Sequence, residues 1–279
     1  MTAREGTAVD TLGPVDKVIP LTGLSGRTIP ARLNRAGQGR RAVLLHGMLA
    51  QNVHWQPLLE RIAHRWHCTM LELPLLDLRD EDCSVDGVTH LTHQFIDQHA
   101  PEPAVYLGSS FGGHVALRIA LENPRRVSGL ILAGAAGVGE KPIAGDMTMK
   151  PTREWIRERV GAMFYDRGKH IREEDVDRVY AELSDRERAR AIIRLTRSSR
   201  REYMGDRLCE IKVPALIAWG RQDAITPPEA AHEFASRLPD ARLVWFDECS
   251  HAPMFEHPAQ FADAMLAFAD ELDRREGRV

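Results

Sequence analysis

The 279-residue sequence has little of what marks several large protein classes. It carries four cysteines, Cys68, Cys83, Cys209 and Cys249, with no C-x-x-C pair among them. That argues against a disulfide framework or a thiolate zinc site and for free thiols in a reducing compartment. It lacks an excess of either charge, with 37 Lys and Arg against 40 Asp and Glu, so no overall field draws in nucleic acid or an anionic membrane. No run approaches the roughly 18 consecutive apolar residues of a membrane span. The opening "MTAREGTAVDTLGP" lacks the apolar segment of a signal peptide. G-x-G-x-x-G and P-loop patterns are missing, as are internal repeats and low-complexity stretches, which argues against a nucleotide site and a solenoid. These absences lead to the expectation of a cytoplasmic protein with neither nucleic acid nor membrane as partner.

What the sequence does have is an alternation. Residues 15–21 and 28–34 read as an opening hairpin, and Arg41-Ala42-Val43-Leu44-Leu45 as a buried strand. Helical periodicity at about 55–65, 86–98, 111–122, 228–237 and 258–273 alternates with strand-like runs at about 67–73, 103–108, 127–133, 213–219 and 241–246. Such an order predicts an α/β fold with a mainly parallel sheet and an active site at the carboxyl ends of the strands. From Gly137 to Leu208 no strand pattern occurs, while "PTREWIRERVGAMF" and "EEDVDRVYAEL" repeat apolar residues at helical spacing. The expected organisation is a flexible N-terminus at 1–14, a core at 15–136 and 209–279, and a helical cap at 137–208. The cap is rich in arginine at 188, 190, 194, 197, 200 and 201. A solvated helical face is the first reading of that run, and an inward-facing arginine for an anionic substrate group the second.

The stretch "VYLGSSFGGHVALRIALENP" places chemistry on this frame. A strand-forming run precedes Gly108-Ser109-Ser110-Phe111-Gly112, and a helical pattern follows until Asn123-Pro124. This is G-x-S-x-G on a strand-turn-helix, with Ser110 at the centre and Ser109 in the variable position. A serine hydroxyl needs a base, and the base needs a group to hold its tautomer. "VPALIAWGRQDAITPP" supplies Asp223 after one strand, and "ARLVWFDECSHAPMFEHP" supplies His251 after the next, in the order serine, acid, histidine. Glu248 is the alternative acid nearest in sequence. "LLHGMLAQNVHW" puts Met48 just past a strand end, so its N–H and that of Phe111 are the candidate oxyanion donors, while His46 takes a structural role. Trp155, Phe164 and Met254, with Trp55, Phe111 and Tyr165, are candidates to line an apolar pocket, the alternative being packing in cap and core. His64 with His67 and His90 with His93 are spaced three apart, but no third ligand completes a metal site.

With those motifs in this order, the chain resembles the α/β-hydrolase-fold superfamily over about residues 15–275. The resemblance implies a mostly parallel eight-stranded sheet flanked by helices, and a serine hydrolase that uses no metal or other cofactor. Within the superfamily the cap and C-terminal blocks resemble both the meta-cleavage-product carbon–carbon hydrolases and small carboxylesterases of the pimeloyl methyl ester esterase type. The carbon–carbon hydrolases usually carry Asn before the nucleophile and Trp after the histidine, where this sequence has Ser109 and Ala252. "HAPMFEHP" is nearer the esterase pattern. "MLELPLLDLRDEDC" lacks the glycines of the family's D-x-P-G-x-G turn and has Glu72 in place of its acid. The expected reaction is hydrolysis of an ester-type bond in a small carboxylic substrate by a monomer or homodimer. The alternatives are carbon–carbon hydrolysis and a non-hydrolytic binding or cyclase-like protein on the same fold.

Overall fold

Two burial patterns in the sequence become two kinds of strand in the structure, a computed structural model that describes residues 17–139 and 151–278. In β1 (Lys17–Thr22) and β2 (Thr28–Ala36) buried and exposed residues mostly alternate, as in an antiparallel ribbon with one solvated face. In β5 (Ala104–Ser109), β6 (Val127–Ala133) and β7 (Ala215–Gly220) nearly every side chain is buried, as parallel strands covered on both faces require. With β3 (Arg40–Leu45), β4 (Trp66–Glu72) and β8 (Ala241–Phe246) they form an eight-stranded sheet in the order β1-β2-β4-β3-β5-β6-β7-β8. β2 runs antiparallel to β1 and β4, and every other adjacent pair is parallel. The expected strands all form.

Parallel strands need crossovers, and helices supply them. Helix α1 (Gln56–Ile62) follows β3, α2 (Val85–His99) follows β4 and α3 (Phe111–Glu122) follows β5. Between β6 and β7 lie α4 (Arg153–Gly161), α5 (Arg167–His170), α6 (Glu173–Ser184) and α7 (Arg186–Arg201). Helix α8 (Pro228–Arg237) follows β7, and α9 (Pro253–Glu256) and α10 (Pro258–Arg275) follow β8. One sheet face packs on α2, α3 and α8 through residues such as Leu91, Phe95, Ile119 and Phe234; the other packs on α1 and α10 through Leu58, Ile62, Phe261 and Phe268. Helix α1 ends at Ile62 rather than near residue 65 because the chain turns there, Arg65 N–H bonding the Ile62 carbonyl.

Among the described residues, no strand lies between β6 and β7. Apolar side chains of α4, α6 and α7, Ile156, Val176, Val179, Leu183 and Ile192, meet Leu76 in a cluster of their own, and Met48 and Leu49 pack against it. These helices therefore touch loops at the carboxyl end of the sheet. The expected flexible N-terminus at 1–14, and residues 140–150 of the expected cap, lie outside the described residues.

Candidate active site

Ser110 stands alone between the end of β5 and the start of α3, with φ 53° and ψ −121°. A non-glycine residue in that region carries strain on the order of 1–3 kcal/mol, which persists only where the surroundings hold it. Here Ser110 N–H donates to the Ala133 carbonyl (3.0 Å), and its own carbonyl accepts from Gly113 and Ala136 (both 2.9 Å). The flanking glycines are required by space. A Cβ on Gly108 would sit 2.5 Å from the Gly112 carbonyl oxygen, and one on Gly112 would strike the Leu45 carbonyl. The resulting turn puts Ser110 on the wall of a partly open cavity of about 240 Å³.

His251 lines the same cavity, and Asp223 stands behind it. Asp223 Oδ2 lies 3.0 Å from His251 Nδ1, with side-chain exposures of 0% and 4%. An ionised carboxylate can only accept, so Nδ1 carries the hydrogen and Nε2 is left as the free base. The carboxylate is itself fixed by the turn after β7: Oδ1 accepts from the N–H groups of Ile225 (2.8 Å) and Thr226 (2.9 Å), and Oδ2 from the Thr226 hydroxyl (2.8 Å). Gly134, at φ 51°, is needed where the imidazole lies; a Cβ there would approach His251 Nδ1 to 2.9 Å. Glu248, the alternative acid, is exposed at a positive-φ corner, and Asp223 is the carboxylate on the ring.

The loop after β3 forms the facing wall. Met48 and Phe111 both line the cavity, and among the described residues neither N–H has an acceptor. His46 is buried beside them with Nδ1 2.7 Å from the Gly47 carbonyl, and burial holds its pKa below the usual histidine value. Trp155, Phe164, Met254 and Trp55 are all on the cavity wall. Tyr165 is not: it is half-exposed outside, because the chain turns away after α4. Of the arginine run, Arg188 pairs with Asp77 (2.8 Å) and Arg190 with Glu187 on the outer surface, Arg194, Arg197 and Arg201 are exposed, and Arg200, also exposed, reaches the cavity. Of the histidine pairs, His90 Nε2 bonds the Thr22 carbonyl and His93 Nε2 bonds Glu122.

Sequence reading passed over three groups. Thr226, three residues after Asp223, clamps the carboxylate. Glu256, buried one turn past His251, accepts Ser250 N–H on one oxygen and Tyr165 N–H on the other (both 2.7 Å), tying the histidine loop to the segment after α4. His251 N–H to the Met163 carbonyl (3.0 Å) and Ser250 Oγ to the Ala162 carbonyl (3.1 Å) extend that seam. Arg178 of α6 reaches back to the Leu49 carbonyl (3.0 Å), beside Met48. A lone Glu in the apolar "APMFEHP" was the available signal for the second of these; Thr226 and Arg178 carry none.

A sequence model of the alpha/beta hydrolase family matches residues 42–264, and the chain belongs to that family. It is 29% identical over 185 residues to the 2-hydroxy-6-oxononadienedioate/2-hydroxy-6-oxononatrienedioate hydrolase 2 of Pseudomonas putida, covering 62% of this chain and 65% of that protein. The chain thus spans a little less than two thirds of that relative. It is 28% identical over 253 residues to the pimeloyl-[acyl-carrier protein] methyl ester esterase of Nitrosomonas europaea, covering 84% of this chain and 98% of the esterase. Among solved structures, an alpha/beta hydrolase enzyme from a sediment metagenome of the Mar Chica lagoon superposes with TM-score 0.71 at 28% identity, over 87% of this chain and 96% of that one. Among the described residues no helix is long and apolar enough to cross a membrane.

Proposed function

We propose that the protein is a serine hydrolase that cleaves an ester-type bond of a small carboxylic substrate through an acyl-enzyme. The observation that carries this reading is the strained Ser110 sharing one cavity with His251, whose Nδ1 is held by a buried, fully hydrogen-bonded Asp223. In this reading His251 Nε2 takes the Ser110 hydroxyl proton as Oγ attacks the carbonyl carbon. The oxyanion accepts from Met48 and Phe111 N–H, each donor worth on the order of 10²–10³ in kcat. The proton on Nε2 then passes to the departing alkoxide, leaving an acyl-serine. Water, deprotonated by the same nitrogen, attacks the acyl carbon, and collapse of the second oxyanion frees the acid and restores Ser110. The helices from α4 to α7 act as a cap in this scheme, and Trp155, Phe164 and Met254 bind the acyl chain. The chemistry needs no cofactor, and the near-balanced charge suits a cytoplasmic monomer or homodimer whose partner is a small molecule.

Ester cleavage is favoured over carbon–carbon cleavage by Ser109 and Ala252 and by the breadth of similarity to the esterase, which spans nearly the whole of that relative. The test is labelling by a fluorophosphonate, followed by turnover of methyl and p-nitrophenyl esters beside a ring-fission dienoate. Ester turnover lost in Ser110→Ala is expected. Faster cleavage of the dienoate would assign carbon–carbon hydrolysis, and an unlabelled Ser110 would point to a binding or cyclase-like protein.

A further inference from the structure

Among the described residues, one charged group on the cavity wall is neither ion-paired nor fully exposed. Three arginines line it: Arg159, Arg178 and Arg200. Arg178 is compensated by Glu182 (3.1 Å), Asp175 (3.6 Å) and the Leu49 carbonyl, and Arg200 is exposed to solvent. The cavity's carboxylate, Asp175, is itself taken up by Arg172 (2.7 Å) and His54 (3.3 Å), and is held well below the usual carboxylate range despite its burial. Arg159 differs from all of these. It is half-buried, its Nε is inaccessible and without a hydrogen-bond partner, and among the described residues no carboxylate lies within ion-pair distance. Among the described residues, every other arginine without a carboxylate or carbonyl partner is exposed.

Its pose is also set. Arg159 follows Trp155 by one turn of α4, and its guanidinium carbon lies 5.0 Å from the centre of the Trp155 ring. A guanidinium stacked on an indole keeps its donor edge available, and that edge matches the two oxygens of a carboxylate. An uncompensated cation on an apolar wall is unfavourable alone and becomes favourable when an anion shares the desolvated space.

We propose that Arg159 is the specificity residue of this cavity and selects substrates whose acyl chain ends in a carboxylate, such as monoesters of dicarboxylic acids. The assignment of the bond that is cleaved rests on the hydrolase reading; the anion site does not.

The two are separated by measuring binding before turnover. In the Ser110→Ala protein, monomethyl adipate and methyl hexanoate are titrated by calorimetry with Arg159 intact, as Arg159→Gln and as Arg159→Lys, with Arg188→Gln as a surface control. Monomethyl adipate should bind at least about tenfold tighter than methyl hexanoate, Arg159→Gln should erase that preference with methyl hexanoate affinity kept, and Arg159→Lys should retain part of it. Arg188→Gln should keep it whole. With Ser110 present, kcat/KM for the two esters should show the same ordering. No preference in the parent protein, a preference surviving Arg159→Gln, or equal loss of both ligands would overturn the proposal. A preference that follows Arg159 while neither ester is cleaved would uphold the anion site and overturn the ester reading.

Discussion

The strand ends that carry Ser110, Asp223 and His251 and the helices that cover them are built by different physics, although they enclose one cavity. At the strand ends the acid and the base are buried and matched: Asp223 accepts from two N–H groups, a hydroxyl and the imidazole, and β5 and β7, which lead to Ser110 and Asp223, are nearly all buried. The covering helices bury one apolar stripe and hold their outer faces with exposed ion pairs, Arg153 with Glu173 and Asp177 and Arg157 with Glu173. Exposed pairs of this kind are worth about 0–1 kcal/mol each. The contrast separates duties. In the proposed function, geometry that must be exact to fractions of an ångström sits where displacement would break buried hydrogen bonds, and selectivity would sit on helices that can shift cheaply.

The largest effect that would test this division is at the elbow. Ser110→Ala should lower kcat by on the order of 10⁴-fold or more with folding intact, while Ser109→Ala should change it only slightly. Equal losses would mean that the strained position is not the nucleophile. Asp223→Asn should cost about 10³–10⁴-fold, because an amide can donate to the ring and no longer selects the tautomer with a free Nε2. Thermal unfolding near the parent temperature would show that the loss is chemical, whereas activity within tenfold of the parent would remove Asp223 from the mechanism.

A seam between the two regions gives the next effect. His114 of α3 is fully buried, with Nδ1 3.0 Å from Ser199 Oγ of α7, and burial, reinforced by Arg118, lowers its pKa to about 4. The native state then stays neutral down to about pH 4, while the unfolded chain takes up a proton near pH 6.5. Stability from this group is present above pH 6.5 and is lost as the pH falls toward 4, by about 2–3 kcal/mol between pH 7 and pH 4.5. Urea unfolding of His114→Gln at the two pH values should show a correspondingly smaller acid loss. Equal losses in parent and variant would place the acid sensitivity elsewhere.

Glu256 sharpens the comparison because it lies in α9, beside the histidine loop, and also holds the segment after α4. Replacing it with Gln leaves one acceptor oxygen where two backbone N–H groups now find acceptors, so either Ser250 or Tyr165 loses its partner. The histidine loop and the segment after α4 should then separate, lowering kcat/KM by about 10–100-fold, with fluorophosphonate labelling slowed alongside. Unchanged labelling would confine Glu256 to folding.

What was legible from sequence follows the same line. Ser110, Asp223 and His251 announce themselves because each needs a strand before it and a particular backbone turn, and both leave local marks: Gly108 and Gly112 by close approach, and the paired prolines Pro227-Pro228 opening α8. The sheet was legible because continuous burial selects continuous apolar runs. Arg159 was not, for a physical reason. The densest charge run marks the obvious arginines, but inward direction is set by helix phase, and Arg159, proposed as the anion-binding residue, shares the face of Trp155 in a helix with few apolar residues. Thr226 and Arg178 act through contacts distant in sequence or through a single hydroxyl, which no periodicity marks.

The smallest expected effect is the one that tests the cap's outer face. Arg188 sits at the head of the arginine run, and its guanidinium meets Asp77 at 2.8 Å with the two side chains 39% and 49% exposed. In that setting water and salt screen the pair, and ordering two long side chains offsets most of what remains. Arg188→Gln should therefore shift unfolding free energy by less than about 1 kcal/mol and kcat/KM by less than about twofold, with neutral and anionic esters affected alike. Raising the salt concentration should shrink even that difference. A selective loss for the anionic ester would mean that the surface run, and not the helix face of Trp155, supplies the cavity's positive charge, and the separation between a matched interior and a screened exterior would then fail at the point where the cap meets the substrate.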